Sequence, residues 1–270
     1  MLLPIKIKNN TVLPFFLKTN YGLRGLLTNN ESSFNKSISI IRIGKYFKTS
    51  FFNRFYETEN FLYNYKKKFN LICDIGASDG SSSYGFINNL NYNKYCLIDK
   101  YINLKINEDE NSIYLYDSSL NLHMLETKNL IIYLDPLKKN FNILNYMINL
   151  FFNKKKLDKL KDIQCINPLI NKNDKKIEII EADLMIDFDT SMKFDLIIVE
   201  NLINKIHHDD KLLRNFKKNI IKMISNEGLV ILGENNLTEK ENATIYSYKK
   251  KFMIIHKIGN GSVSEGYLNL

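Results

Sequence analysis

From residue 71 onward, short runs rich in β-branched and aromatic residues alternate with stretches whose apolar side chains recur at helical spacing. That alternation is the pattern of βαβ units, which build a parallel sheet covered by helices. Strands are expected at about 70–74, 94–99, 177–181, 195–200 and 228–233. The first crossover helix is expected over 82–91, where Tyr84, Phe86, Ile87 and Leu90 share one stripe and Ser81 or Ser82 caps the first turn. A second helix is expected over 210–225, with Asp209 or Asp210 at its start, Leu212, Leu213, Phe216, Ile220, Met223 and Ile224 on one stripe, and Gly228 just past its end. After GLVIL the runs ATIYSY and FMIIHKIG are joined by a short basic turn, so the sheet is expected to finish as an antiparallel hairpin. The expected class is α/β: a Rossmann-like, doubly wound, mostly parallel sheet with an antiparallel C-terminal hairpin strand and a β/α insertion.

The 270 residues suffice for one sizeable core carrying insertions. Residues 1–50 read as an N-terminal extension, in which SISIIRIG alternates like a strand, and FNRFYETENFLYNYKKKF reads as a helix entering the sheet. The domain proper is expected over 51–270, interrupted by an insertion at about 101–176 that is too long for one crossover connection. Within it, SIYLYDSSLNLHMLETKNLIIYLDP reads as two or three short strands. FNILNYMINLFF, 141–152, reads as a helix with Asn142, Asn145 and Asn149 on one face. A cap over the sheet or a pocket explains that helix better than a membrane-surface role.

The formal charge of +9 at neutral pH follows a chain-wide abundance of Lys beside Asn, Ile, Phe and Tyr, so it does not by itself mark a polyanion partner. Basic runs such as Lys66–Lys68, Lys154–Lys156 and Lys249–Lys251 read as solvated faces, and nucleic acid is not excluded as a partner. Cys73, Cys96 and Cys165 form no close pair and no metal-ligand spacing, which points to a reduced, cytoplasmic setting. No stretch reaches the ~18 uninterrupted apolar residues of a spanning helix.

The chemistry concentrates where the first strand ends. In LICDIGASDGSSSYGF the apolar run stops at Asp74 and the chain turns through Gly76, Ala77, Ser78 and Gly80, small residues that let a ligand approach the backbone. Open α/β sheets bind ligands at the carboxyl ends of their strands. The stretch resembles the first motif of class I S-adenosylmethionine-dependent methyltransferases, with Ser78 where a second glycine is common. The insertion after the second strand is similar to that of some bacterial members of the family.

The resemblance implies that Asp74 helps hold the methionyl ammonium, directly or through water, and that Gly76, Ser78 and Gly80 line the cofactor. Asp99, at the end of KYCLIDK, would accept hydrogen bonds from the ribose. Asp183 and Leu184, after IEIIEA, would meet the adenine, with Glu181 a weaker candidate. FDLIIVENLINKIHHDD resembles the fourth strand and its loop: Asp195 stands at the edge away from the cofactor, whereas Glu200 and Asn201 stand near it, and Asn201 would also touch cofactor. Glu200, Asn201 and His207 would be the catalytic group, with Asn204 and His208 nearby.

The expected reaction is methyl transfer by in-line displacement to an acceptor that is a small molecule, lipid, protein or RNA. VENL at 199–202 lacks the Asn/Asp-Pro-Pro-Tyr/Phe run of enzymes that methylate adenine in DNA, and no metal site is expected. Two other readings are a catalytically silent domain of the same shape and a nicotinamide-dependent oxidoreductase. Asp99 fits the latter, but G-x-G-x-x-G is missing.

Overall fold

A computed structural model of the chain describes residues 5–8, 18–19, 22–28, 30–44, 46–48, 50–65, 68–128, 130–134, 159–170, 173–186, 190–203, 210–235 and 240–268. The polypeptide divides into two compact units, one formed by Met1–Ser50 with Tyr101–Leu169 and the other by Phe51–Lys100 with Ile170–Leu270.

The first unit is a sheet, antiparallel except where its first two strands pair parallel, with a small helical layer. Its strands are β1 (Ile5–Lys8), β2 (Lys18–Thr19), β7 (Asn103–Glu108), β8 (Ser112–Asp117), β9 (Leu122–Thr127), β10 (Leu130–Tyr133) and β11 (Lys161–Gln164), in the order β11-β7-β8-β9-β10-β1-β2. A two-stranded ribbon, β3 (Arg42–Ile43) with β4 (Tyr46–Phe47), forms a separate small sheet whose Ile43 packs into the core of the same unit. The 3-10 turn Leu23–Leu27 and α1 (Glu31–Ile38) lay Leu23, Leu26, Phe34 and Ile38 on Leu104, Ile106, Leu115, Met124 and Ile131 of the sheet. The stretch SIYLYDSSLNLHMLETKNLIIYLDP holds three strands, β8, β9 and β10, within the expected two or three, and the insertion adds β7 before it and β11 after it. The expected helix at 141–152 lies outside the described residues. SISIIRIG is not one strand: Asn30 caps α1 by accepting from the Ser33 N–H, the helix absorbs Ser37 and Ile38, and only Arg42–Ile43 is extended.

The second unit holds α2 (Tyr56–Asn64), β5 (Phe69–Ile75), α3 (Tyr84–Asn89), β6 (Tyr92–Asp99), β12 (Ile177–Glu181), β13 (Phe194–Glu200), α4 (Asp210–Met223), β14 (Ile224–Asn235), β15 (Glu241–Lys249) and β16 (Lys251–Ile258). The sheet order is β12-β6-β5-β13-β14-β15-β16. The first five strands are parallel, and β15 and β16 are added antiparallel. This is the Rossmann-like doubly wound order, with β5 and β13 meeting at the switch point where the winding reverses.

Period-two alternation separates the faces of this sheet. Cys73, Ile75, Cys96, Ile98, Ile197, Val199, Val230 and Leu232 point to α4, where Leu213, Phe216, Ile220 and Met223 complete one core. The intervening residues, Ile72, Asp74, Tyr95, Leu97, Leu196, Ile198 and Glu200, therefore point to the side of α2 and α3. Helix α4 ends two residues before the expected limit because Ile224 already pairs with Phe194 as a strand residue. Helix α3 starts at Tyr84 rather than Ser82, and its N-cap Ser83 makes no side-chain capping bond. Among the described residues no helix is long and apolar enough to cross a membrane.

Asn219, buried in α4, donates from Nδ2 to the carbonyl of Leu184 at 3.0 Å and to that of Ile186, tying the loop after β12 to the helix. Asn219→Ala would leave buried carbonyls without that donor. We expect it to cost about 2–3 kcal/mol, read as a lowered urea midpoint at unchanged m-value.

Candidate active site

The carboxyl end of β5 is shaped by its last acidic side chain. Asp74 is buried and sits in register between Leu97 of β6 and Ile198 of β13. Its Oδ2 accepts hydrogen bonds from Ser83 Oγ at 2.6 Å and Tyr95 Oη at 3.1 Å. For Ser83 to reach back to Asp74, the eight residues between must fold tightly, and they do so with Gly76 at φ 77°, Ser78 at φ 58° and Gly80 at φ 80°. Ser78 thus adopts the left-handed conformation that glycine favours, at the position where the family's second glycine is common.

The donors of this bend are spent inside the protein. The N–H groups of Gly76 and Ala77 reach the carbonyl of Ile98 at 2.8 and 3.2 Å, and the Ser78 N–H reaches Asp99 Oδ2 at 3.0 Å. Gly80 N–H bonds to the Ala77 carbonyl, and Ser81 bonds through N–H and hydroxyl to buried Asp79. A β-carbon on Gly76 would lie 3.3 Å from the Leu202 side chain, and one on Gly80 would lie 3.3 Å from Ile170.

Around this bend stand the other expected residues. Asp99 closes β6 and holds the loop through Ser78. Asp183 lies beyond the end of β12, its Oδ2 2.9 Å from Lys100 Nζ and its Oδ1 accepting the Met185 N–H at 3.0 Å. Leu184 is buried in the α4-side core, so its side chain is a packing residue. Glu181 pairs in register with Asp99. Asn201, at φ 54°, exchanges side-chain hydrogen bonds with Asn235 and donates its backbone N–H to Gly233. Its amide is thus engaged in joining the ends of β13 and β14. Asn204, His207 and His208 lie outside the described residues. Asp195, at the opposite edge, accepts from the Asn70 N–H and the Ser225 hydroxyl.

Beside Glu200, expected at this edge, the structure adds two acidic groups that sequence reasoning missed, Glu59 and Glu241. Glu200 ends β13 with 8% exposure and passes over Gly233, where a β-carbon would stand 3.3 Å from Glu200 Cγ. Its Oε1 is buried without a hydrogen-bond partner. Glu59 of α2 is 3% exposed and also has a buried, unpartnered Oε1. Glu241 of β15 accepts from the backbone N–H groups of Glu57 and Thr58 at 2.8 and 2.9 Å and from the Thr58 hydroxyl. Glu59 was legible in principle: Phe55, Thr58, Glu59 and Leu62 make one helical stripe, and a carboxylate on such a stripe is an anomaly.

Burial sets the protonation of these groups. It pushes the Asp74 carboxyl up to about 6 against the opposing pull of the Ser83 and Tyr95 hydrogen bonds. Burial, then the charge of Glu241, pushes Glu59 up to about 7. Glu200 is raised well above its ordinary value by burial, with Asp74, Glu241 and Glu59 adding to the effect and Arg54 opposing it. Among the described residues no group of three or more His, Cys, Asp or Glu could hold a metal ion.

The raised values imply a pH dependence of defined sign. Asp74 and Glu59 bind protons more tightly folded than unfolded, so their contribution to stability is complete below the unfolded carboxylate range and is lost as pH rises through about 6 and 7. Asp117 and Glu265 are shifted the other way and titrate below that window. The melting temperature should fall between pH 5 and pH 8, and Asp74→Asn should flatten that fall. A curve that rises over the same interval would contradict the assignment.

No family model and no curated protein matches the chain. Among solved structures the chain is similar to the N-methyltransferase NodS from Bradyrhizobium japonicum WM9, at 12% identity and a TM-score of 0.34 over 66% of this chain and 64% of that one. It is likewise similar to NodS in complex with S-adenosyl-l-homocysteine, at 12% identity and a TM-score of 0.36 over 76% and 73% of the two chains. For the ribosomal protein L11 methylase from Lactobacillus delbrueckii subsp. bulgaricus the values are 13% and 0.30, over 68% and 61%. The fold assignment rests on the strand order and register described above.

Proposed function

We propose that this chain is an S-adenosylmethionine-dependent methyltransferase. The observation that carries the reading is the bend at the switch point between β5 and β13, with left-handed residues at 76, 78 and 80, Asp74 beneath it and Asp99 beside it. A dinucleotide would need the loop's N–H groups for its pyrophosphate. Here those of Gly76, Ala77, Ser78, Gly80 and Ser81 are already bonded within the protein. A ligand held by carboxylates and by close approach to backbone fits this arrangement better.

Bound S-adenosylmethionine supplies a methyl carbon already activated by its sulfonium. In the reading offered here, Asp74 is a positioning residue that braces the bend through Ser83 and adds negative charge below it. Asp99 would bind the ribose hydroxyls while retaining the Ser78 N–H. Asp183 would meet the adenine amino group after giving up Lys100. Glu200, at the end of β13, would stand beside the acceptor and take its proton; Asn201 would shape the same edge from its fixed position. His207 remains a candidate for that edge on the resemblance alone. A silent domain of the same fold has one observation in its favour, the side chains of Leu202 and Ile170 against Gly76 and Gly80.

The test is a heat-stability comparison. A ligand that binds only the folded protein at 100 times its Kd adds about 2.7 kcal/mol of stability. S-adenosylhomocysteine and S-adenosylmethionine should each raise the melting temperature by several degrees, and NAD should not. Gly76→Val, strained at φ 77° and crowded by Leu202, should abolish the shift, as should Asp74→Ala. Ser78→Gly should keep it and raise basal stability by about 0.5–1 kcal/mol by relieving a left-handed non-glycine residue. Absence of any shift with either adenosyl compound would refute the assignment.

A further inference from the structure

The unexplained feature of the second unit is its buried acidity. Asp74, Glu241 and Glu59 each act electrostatically on Glu200, Glu241 also acts on Glu59, and Arg54 is the cation that opposes them at Glu200. Asp74 and Glu241 have hydrogen-bond partners on their oxygens. Glu200 and Glu59, more than nine-tenths buried, each keep one oxygen with no hydrogen-bond partner among the described residues. Leaving a buried acceptor unpaired is costly, so two such oxygens within one cluster point to a donor that arrives with a ligand. The described carboxylates do not gather as a metal site, so the donor that suits them is an organic cation.

Resting on the methyl-transfer reading above, we infer that the acceptor is an amine, bound beside Glu200 in its ammonium form and methylated on nitrogen. The ammonium enters and displaces the Glu200 proton to solvent. Passing one N–H proton to the carboxylate frees the nitrogen lone pair. The lone pair forms the N–C bond as the C–S bond breaks, and the electrons of that bond leave on sulfur. Positive charge has then moved from sulfur to nitrogen, the direction that neighbouring carboxylates favour. An oxygen acceptor would need negative character at the same place, and the cluster opposes that.

The cofactor analogue sinefungin, which carries an amino-bearing carbon in place of the methylated sulfonium, tests the site without knowledge of the acceptor. Calorimetry should show sinefungin binding at least tenfold more tightly than S-adenosylhomocysteine, and Glu200→Gln should bring the ratio to within about twofold. With S-adenosylhomocysteine saturating, n-propylamine should raise the melting temperature further, whereas n-propanol and propionate at equal concentration should not. Equal affinity for the two nucleosides in the wild type overturns the inference while leaving cofactor binding intact, and so does an equal response to amine, alcohol and acid. Failure of both nucleosides to bind overturns the methyl-transfer reading instead. Should Glu200→Gln not fold, the wild-type ratio and the three-compound comparison decide the matter alone.

Discussion

One buried carboxylate organises the carboxyl edge of the sheet in the second unit. Asp74 lies in the middle of a seven-stranded sheet, pointing to the side of α2 and α3, where water cannot solvate it. An unsatisfied charge there would cost several kcal/mol, so the chain must bring donors to it. Tyr95 comes from the neighbouring strand, and Ser83 comes from the far side of the bend. The second of these fixes the loop: to return Ser83 to the strand end, residues 76–80 must reverse direction within a few residues, and three of them do so at positive φ. The small residues and the serine-rich run are two consequences of one requirement.

The same requirement extends outward. Glu59, Glu200 and Glu241 share the low-dielectric space with Asp74, and each raises the cost of ionising another. Such a cluster stays folded when it retains protons, when backbone donors neutralise part of it, or when a cation joins it. Glu241 takes the second route by receiving the first N–H groups of α2, where a helix N-terminus also favours negative charge. Glu59 and Glu200 take the first, the Glu59 carboxyl being pushed up to about 7 and that of Glu200 raised well above its ordinary value by burial. Proton uptake and ligand uptake are therefore alternatives at one place.

Much of the parallel sheet was legible because its strands are apolar on both faces and short, and because helical stripes separate them. The five parallel strands fall within a few residues of the positions their apolar runs suggest, and the closing hairpin is where ATIYSY and FMIIHKIG place it. What was not legible depends on pairing across long separations. Strand β1 reaches β10 through Ile5 opposite Ile132, so the N-terminal 50 residues and the insertion build one unit, a relation that no local pattern encodes. The shortened α3 has a different origin. Ser81 and Ser83, good capping residues by type, are claimed by Asp79 and Asp74 before they can cap. Ser78 shows the reverse: judged by residue type it departs from the motif, but judged by its φ it does what the motif asks. At the site, the chemistry of Asn201 suggests a catalytic amide, yet that amide ties together the ends of the parallel strands β13 and β14.

The bend also separates two ligands that the same fold accommodates. A pyrophosphate is held by backbone N–H groups that converge on an open space. In this chain the N–H groups of Gly76 and Ala77 converge on the Ile98 carbonyl, and that of Ser78 on the Asp99 carboxylate. The N–H groups of these three residues are thereby satisfied from within the protein. The departure from G-x-G-x-x-G is thus more than a spacing difference, since N–H groups that a pyrophosphate would need are bonded within the protein.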